Sequence, residues 1–379
     1  MLSRIQYLSI TLLLFSLLTF ITGCQQAESQ PAPSLEQKIG QLLMVGFKGY
    51  ELSDTLHIVR DIEEHNLGGV ILFDYHVPGN SPERNIDSAE QVTALNQSLQ
   101  NLADTPLLIS VDQEGGRVAR LKSERGFPRT VSAEYLGELN NPDSTRAYAT
   151  EQADMLNSLG FNVNFAPIVD LNTNPDNPVI GRLERSYSSD PDIVTQHVSV
   201  VIEEHGTQNV LPVVKHFPGH GSAWNDSHVG MADVTDTWQD AELDPYRNLQ
   251  QSGHTFGVMT AHVLNKNLDD ERPATLSRKI QTELLQNDIG FDGILFSDDM
   301  QMEAIRSFYG LRESLKDALN AGVDVLIFAN NSVYQREIVP EAVQIISELI
   351  ESGEVDEERI NDAYNTVMET KQSLGMISN

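Results

Sequence analysis

One cysteine, Cys24, occurs in 379 residues, which excludes any internal disulfide. Cations are also scarce. Lys and Arg number 25 against 55 Asp and Glu, a formal charge of −30, and that balance opposes nucleic-acid binding and electrostatic adhesion to anionic lipid surfaces. An acidic surface of this kind suits a salty habitat, an expectation that full activity and stability in the absence of salt would contradict. No Gly/Ser-rich or Pro-rich stretch divides the chain beyond residue 34, so one large domain is expected. Internal repeats, low-complexity segments and an HExxH motif are missing. Gly68-Gly69 has no G-x-G-x-x-G beside it and reads as a turn.

A membrane-spanning run is lacking too. The apolar stretch Leu8 to Ile21, preceded by Arg4, falls short of the ~20 residues a spanning helix needs and reads as a secretory signal. Directly after it, Ile21-Thr22-Gly23-Cys24 resembles the lipobox of bacterial lipoproteins, where cleavage before the cysteine leaves that residue lipidated. Residues 1–23 are therefore expected to be a signal, 24–34 a lipidated Cys24 and a polar, proline-containing tether, and 35–379 the folded domain. The expected location is the cell envelope, with the protein held at a membrane by its lipid.

What the chain does contain is alternation. Eight aliphatic runs, Leu43–Phe47, Gly69–Phe73, Leu107–Asp112, Val163–Asp170, Pro212–Phe217, Phe256–Ala261, Gly293–Asp298 and Asp324–Ala329, alternate with helical patterns. The helices expected are Ala89–Leu102, Thr145–Leu159, Pro191–His205, Lys279–Asp288, Met300–Ala321, Ile338–Ser352 and Glu357–Ser373. Near-continuous apolar runs imply strands covered on both faces, so the fold class expected is α/β with a single closed (β/α)8 TIM-type barrel rather than an open sheet. Several runs end in polar groups: Asp74, Asp112, Asp170, Lys215-His216, His262, Asp298 and Asn330. The C-terminal rim of a barrel is where such groups converge.

Three constellations can carry chemistry. In KHFPGHGSAWNDSH, residues 215–228, proline and two glycines exclude a regular helix. Within this loop Asp226 and His228 stand two apart, which lets a carboxylate fix an imidazole's tautomer and stabilise its protonated form. His216, His220 and His228 with Asp226 also offer zinc-type ligands, but Pro218 and Gly219 break the helical turn that an HxxxH chelate uses. In GILFSDDM, residues 293–300, a strand ends in two acids whose side chains point to opposite sides. Asp299 is expected to be the N-cap of the helix that follows, leaving Asp298 free at the rim. In DQEGGRVAR, residues 112–120, a rim carboxylate is followed by arginines suited to hydroxyls, amides or anions.

Taken in order, VDQEGGRVAR, KHFPGHG, DSH and FSDDM resemble glycoside hydrolase family 3, in its β-N-acetylglucosaminidase branch, over nearly the whole chain. The resemblance implies Asp298 as nucleophile and His228 as acid/base, supported by Asp226. It further implies sugar-binding roles for Asp112, Arg120, Lys215, His216 and an arginine of the segment VIGRLERSY. That segment is longer than the usual form, and the following Ser-Tyr favours Arg185 over Arg182. In this branch both catalytic groups belong to one barrel, and no metal or organic cofactor is required. The expected activity is retaining, exo-acting hydrolysis of terminal β-linked N-acetylglucosamine from peptidoglycan or chitin-derived fragments, by a monomer. Phosphorolysis, β-glucosidase activity and non-catalytic sugar binding are the alternatives.

Overall fold

Strands that are apolar at successive positions need cover on both faces, and a closed barrel supplies it. The computed structural model, which describes residues 32–378, has that form. The strands are β1 (Leu43–Gly46), β2 (Gly69–Leu72), β3 (Leu108–Val111), β4 (Val163–Asn164), β5 (Leu211–Phe217), β6 (Gly257–Thr260), β7 (Leu295–Phe296) and β8 (Leu326–Phe328). They form one 8-stranded sheet in which every pairing is parallel. β1 pairs with both β2 and β8. Between β7 and β8, Ser297 N–H donates to Val325 O at 2.8 Å, Val325 N–H to Leu295 O at 3.0 Å, and Ile327 N–H to Ser297 Oγ at 2.9 Å, which closes the cylinder. The expected (β/α)8 barrel is the fold. The signal run, Cys24 and most of the expected tether lie outside the described residues.

Regular pairing is shorter than the apolar runs suggested. In Val163–Asp170 it covers only Val163–Asn164, because Pro167 has no N–H to give a ladder. Val169 N–H still donates to Lys215 O at 2.9 Å and keeps the segment against β5. Gly68 is more than a turn residue. A Cβ there would stand 2.0 Å from Gln41 O, so only glycine lets the chain entering β2 lie on the chain entering β1.

Most expected helices are present, and three long ones are capped as their sequences require: Ser88, Asn141 and Asp190 accept backbone N–H groups of the helices Ala89–Leu102, Pro142–Ser158 and Pro191–Thr207. The expected Met300–Ala321 helix is instead two, Glu303–Arg306 and Leu311–Ala321, because Gly310 takes an extended conformation and starts the second. Glycine is a poor helix former, and the break falls there. Lys279–Asp288 is π-helical.

Below the barrel, the helix Glu357–Ser373 buries Ile360, Ala363, Val367 and Lys371 along one stripe. Lys371 is fully buried, donating to Gln41 Oε1 at 2.6 Å and Gly68 O at 3.1 Å. With no carboxylate partner among the described residues, burial pushes its ammonium down to about 7.

Candidate active site

At the C-terminal ends of the strands lies an open cleft of about 580 Å³. Asp112, Arg120, Arg185, Lys215, His216, His228 and Asp298 all line it. These side chains come from the end of β3, the antiparallel turn that follows it (Gln113–Gly115 with Val118–Ala119), the end of β5 and the end of β7, together with two long loops. Asp226 stands behind His228. Arg182 does not join them: its side chain is exposed and 3.4 Å from Asp176.

Asp298 and Asp299 are held differently. Asp299 N–H donates to Asp298 Oδ1 at 2.7 Å, and Asp298 N–H to Thr260 Oγ1 at 3.3 Å. Burial works to raise the Asp298 pKa, but the neighbouring His262, His216 and His228 lower it below the usual carboxylate value, keeping it ionised. Asp299 accepts from Gln301 N–H at 3.1 Å and Ala329 N–H at 3.0 Å. The expected helix cap is thus corrected: Asp299 closes a tight turn and latches it to the end of β8, while the helix starts at Glu303 after Met302. Burial raises Asp299 to about 6. His262 is buried beside this turn, with Nε2 2.9 Å from the backbone carbonyl of Asp299 and Nδ1 2.8 Å from Thr275 Oγ1.

The loop after β5 is docked, not free. Gly221 lies where a Cβ would meet Leu171 O at 1.8 Å. Asn177 Nδ2 donates to His220 O at 2.7 Å and Gly221 O at 3.1 Å, and Asn174 Nδ2 to Ala223 O at 2.8 Å. Further along, one Asp226 oxygen accepts from both the His228 backbone N–H and Nδ1, each at 2.8 Å. That bond raises the His228 pKa against the opposing effect of burial, and the Asp298 charge adds to the rise. With Nδ1 so committed, Nε2 is the ring nitrogen left for chemistry. His216 Nδ1 is bound to Asp170 Oδ2 at 2.7 Å, while His220 Nε2 lies 3.1 Å from Ser227 Oγ. Each of the three histidines is therefore engaged by a different partner, and among the described residues no group of three or more ligand-type side chains converges.

An ionic chain lines the opposite wall. Lys215 Nζ donates to Asp112 Oδ1 at 2.8 Å and is 2.8 Å from Glu114 Oε1. Glu114 in turn receives Arg185 Nε and Nη2, both at 2.7 Å, while Arg120 reaches Asp112 Oδ2 at 3.3 Å. Burial opposes ionisation of Asp112 and Glu114, but Lys215 and Arg120 at the first, and Arg185 and Lys215 at the second, hold both below their ordinary values. Glu114 was not among the residues read from the sequence. Its position two after Asp112 on an extended backbone was the available signal. Of the other rim groups, Asp170 lies buried under His216, Asp74 is bound by Lys122 at 2.6 Å, and Asn330 Nδ2 ties β8 to Gly46 O at 2.9 Å.

A parallel barrel whose rim brings an ionised aspartate, a carboxylate-backed imidazole and a set of paired charges into one cleft has the parts of a glycoside hydrolase. The Glycosyl hydrolase family 3 N terminal domain matches residues 34–370, and the chain belongs to this family. It is 38% identical to a β-hexosaminidase of Tolumonas auensis over 76% of this chain and 83% of that protein. It is 30% identical to β-hexosaminidase A of Pseudoalteromonas piscicida over 94% of this chain and 64% of that one. The structure of a family 3 β-N-acetylglucosaminidase from Paenibacillus sp. str. FPU-7 superposes with a TM-score of 0.83 at 35% identity, covering 92% of this chain and 64% of that one. The chain thus spans a little under two thirds of the last two.

Proposed function

We propose that this protein is a retaining, exo-acting β-N-acetylglucosaminidase, with Asp298 as nucleophile and His228 as acid/base. The observation that carries this reading is the 2.8 Å bond from His228 Nδ1 to Asp226 in a cleft that also holds the ionised Asp298. Asp298 attacks the anomeric carbon while the His228 imidazolium gives its Nε2 proton to the departing oxygen. The neutral imidazole then takes a proton from water, which attacks the glycosyl-enzyme and releases Asp298. Retaining enzymes usually use two carboxyl groups. Here the imidazole replaces the second, and Asp226 stabilises its cationic form.

Asp112, Arg120, Arg185, Lys215 and His216 serve to bind the sugar hydroxyls and the acetamido group, their charges pre-set by the ionic chain with Glu114. The names borne by the Tolumonas, Pseudoalteromonas and Paenibacillus relatives support the substrate class. A lipid on Cys24 holds the enzyme, as a monomer, at the cell envelope, where peptidoglycan or chitin fragments are available. The test compares turnover of 4-nitrophenyl N-acetyl-β-glucosaminide, the corresponding glucoside and a GlcNAc-anhydromuramic acid fragment, each with and without phosphate. Hydrolysis of the N-acetylglucosaminides alone, with free sugar as product, is expected. A preference for the glucoside, or sugar phosphate as product, would overturn it.

A further inference from the structure

The loop that carries His228 starts where β5 ends, and a second segment holds that start from behind. Three successive residues are met in turn. Phe217 packs edge-on against Tyr246, with ring centroids 4.9 Å apart. Pro218 O accepts from Trp238 Nε1 at 3.0 Å. Gly219 lies where a Cβ would stand 2.6 Å from Glu242 Oε2, and its φ of +126° favours glycine. The hold is passed along the loop by His220, whose N–H donates to Asp170 Oδ1 at 2.7 Å and whose Nε2 lies 3.1 Å from Ser227 Oγ, immediately before His228.

Glu242 is an acid without a cation. It is 1% exposed, its Oε1 accepts Gln239 N–H at 3.3 Å to cap the short turn Asp240–Leu243, and its Oε2 has no hydrogen-bond partner among the described residues. Arg247, on the helix that follows, is taken by Asp240 and Asp244. Three more buried polar atoms nearby, Ser222 Oγ, His220 Nδ1 and Tyr246 OH, are likewise unpartnered among the described residues. A carboxylate is costly to bury without a cation, whereas a neutral carboxyl keeps one O–H to donate to such acceptors. Burial raises the Glu242 pKa to about 7 and the Asp170 charge adds to the rise, while the Ser222 hydroxyl and N–H and the Gln239 N–H oppose it. The other ionisable neighbours carry no compensating charge: burial lowers His220 to about 4 and holds the Tyr246 phenol well above its ordinary value.

We propose that Glu242, as a neutral acid, is a positioning residue for His228: it holds residues 217–222 in place, and its ionisation sets a charge against Asp170 that loosens the loop and draws the imidazole away from the departing oxygen. The inference rests on the acid/base role proposed for His228. Glutamine keeps the shape, the acceptor and the donor of the neutral acid but cannot ionise. Alanine removes the support altogether.

The test measures kcat/KM across the pH range for two substrates, a disaccharide whose departing oxygen needs a proton and an aryl N-acetyl-β-glucosaminide with an acidic phenol that does not. Glu242→Gln is expected to stay within about twofold of the wild type at mildly acidic pH on both. Its alkaline limb on the disaccharide should reach to higher pH, because one of the two ionisations that disable the loop is gone. Glu242→Ala should lose about tenfold more on the disaccharide than on the aryl glycoside, the signature of a misplaced proton donor. Trp238→Phe, which removes only the bond to Pro218 O, should show a smaller bias of the same sign. A Glu242→Gln limb that superimposes on the wild type overturns the proposal, and decides it alone if Glu242→Ala does not fold. Losses in Glu242→Ala and Trp238→Phe that are equal for both substrates, or confined to KM, overturn it as well. Wild-type failure on both N-acetylglucosaminides would instead overturn the activity on which the proposal rests.

Discussion

Replacing His228 by alanine separates a proton donor from a residue that only shapes its loop. His228 Nδ1 is bound to Asp226 at 2.8 Å, so a single ring nitrogen faces the cleft, and its loss removes one proton transfer. Such a transfer contributes about 10²–10⁴ in rate, or roughly 3–5 kcal/mol of barrier. That cost falls only where the departing oxygen needs a proton. For a disaccharide, kcat/KM should drop by about 10²–10⁴. For an aryl glycoside with an acidic phenol leaving group, it should drop far less. The assay is kcat/KM across a series of aryl N-acetyl-β-glucosaminides of graded phenol acidity, alongside the disaccharide. A steep dependence on leaving-group acidity that is absent from the wild type is expected. An equal loss across the series would mean that His228 only shapes its loop.

Asp226→Asn should act in the same direction more weakly. The Asp226 bond raises the His228 pKa, so its removal makes the imidazolium lose its proton at lower pH, and the alkaline limb of kcat/KM should move to lower pH; an unmoved limb would refute it. Glu114→Ala leaves Arg185 buried without its carboxylate partner and Lys215 with Asp112 alone, with an expected stability loss of about 3 kcal/mol and a raised KM for N-acetylglucosaminides; unchanged melting and KM would count against the ionic chain. Lys371 has a folded pKa of about 7 against 10.5 for free lysine, so the unfolded chain binds the extra proton between those values. Stability should therefore climb as pH rises from 7 to 10.5, by at most roughly 5 kcal/mol. Lys371→Met should remove that climb in denaturant titrations at pH 7 and 10, and an identical pH dependence in both proteins would contradict it. Cys24→Ser should release the protein from the membrane fraction with unchanged kinetics, and a variant that still sediments would place the anchor elsewhere.

Much of the fold was legible because buried parallel strands leave nearly unbroken apolar runs, and rim chemistry follows from where those runs end. Asp112, Lys215, His216 and Asp298 were found in that way and do share one cleft. What the sequence concealed depends on long-range contact. Asp299 looked like a helix cap because helical periodicity begins near it, but its partners are Gln301 N–H in its own turn and Ala329 N–H just past the next strand. Glu114 hid inside an ordinary glycine turn, and Arg84, fully buried with its guanidinium on Ala329 O and Asn330 O, sits in a loop with no period to mark it. Lys371 could have been noticed, since it continues the stripe of Ile360, Ala363 and Val367, yet a lone lysine on an apolar face is easily read as snorkelling to water.

The proposed reaction is covalent: the sugar passes through a bond to Asp298. Incubation with a 5-fluoro N-acetylglucosaminyl fluoride, which slows breakdown of the glycosyl-enzyme, followed by peptide mapping measures it directly. One sugar per chain is expected, attached to Asp298, and no label in Asp298→Asn. A label on Asp299, or a catalytically active enzyme that inverts the anomeric configuration and never labels, would contradict it.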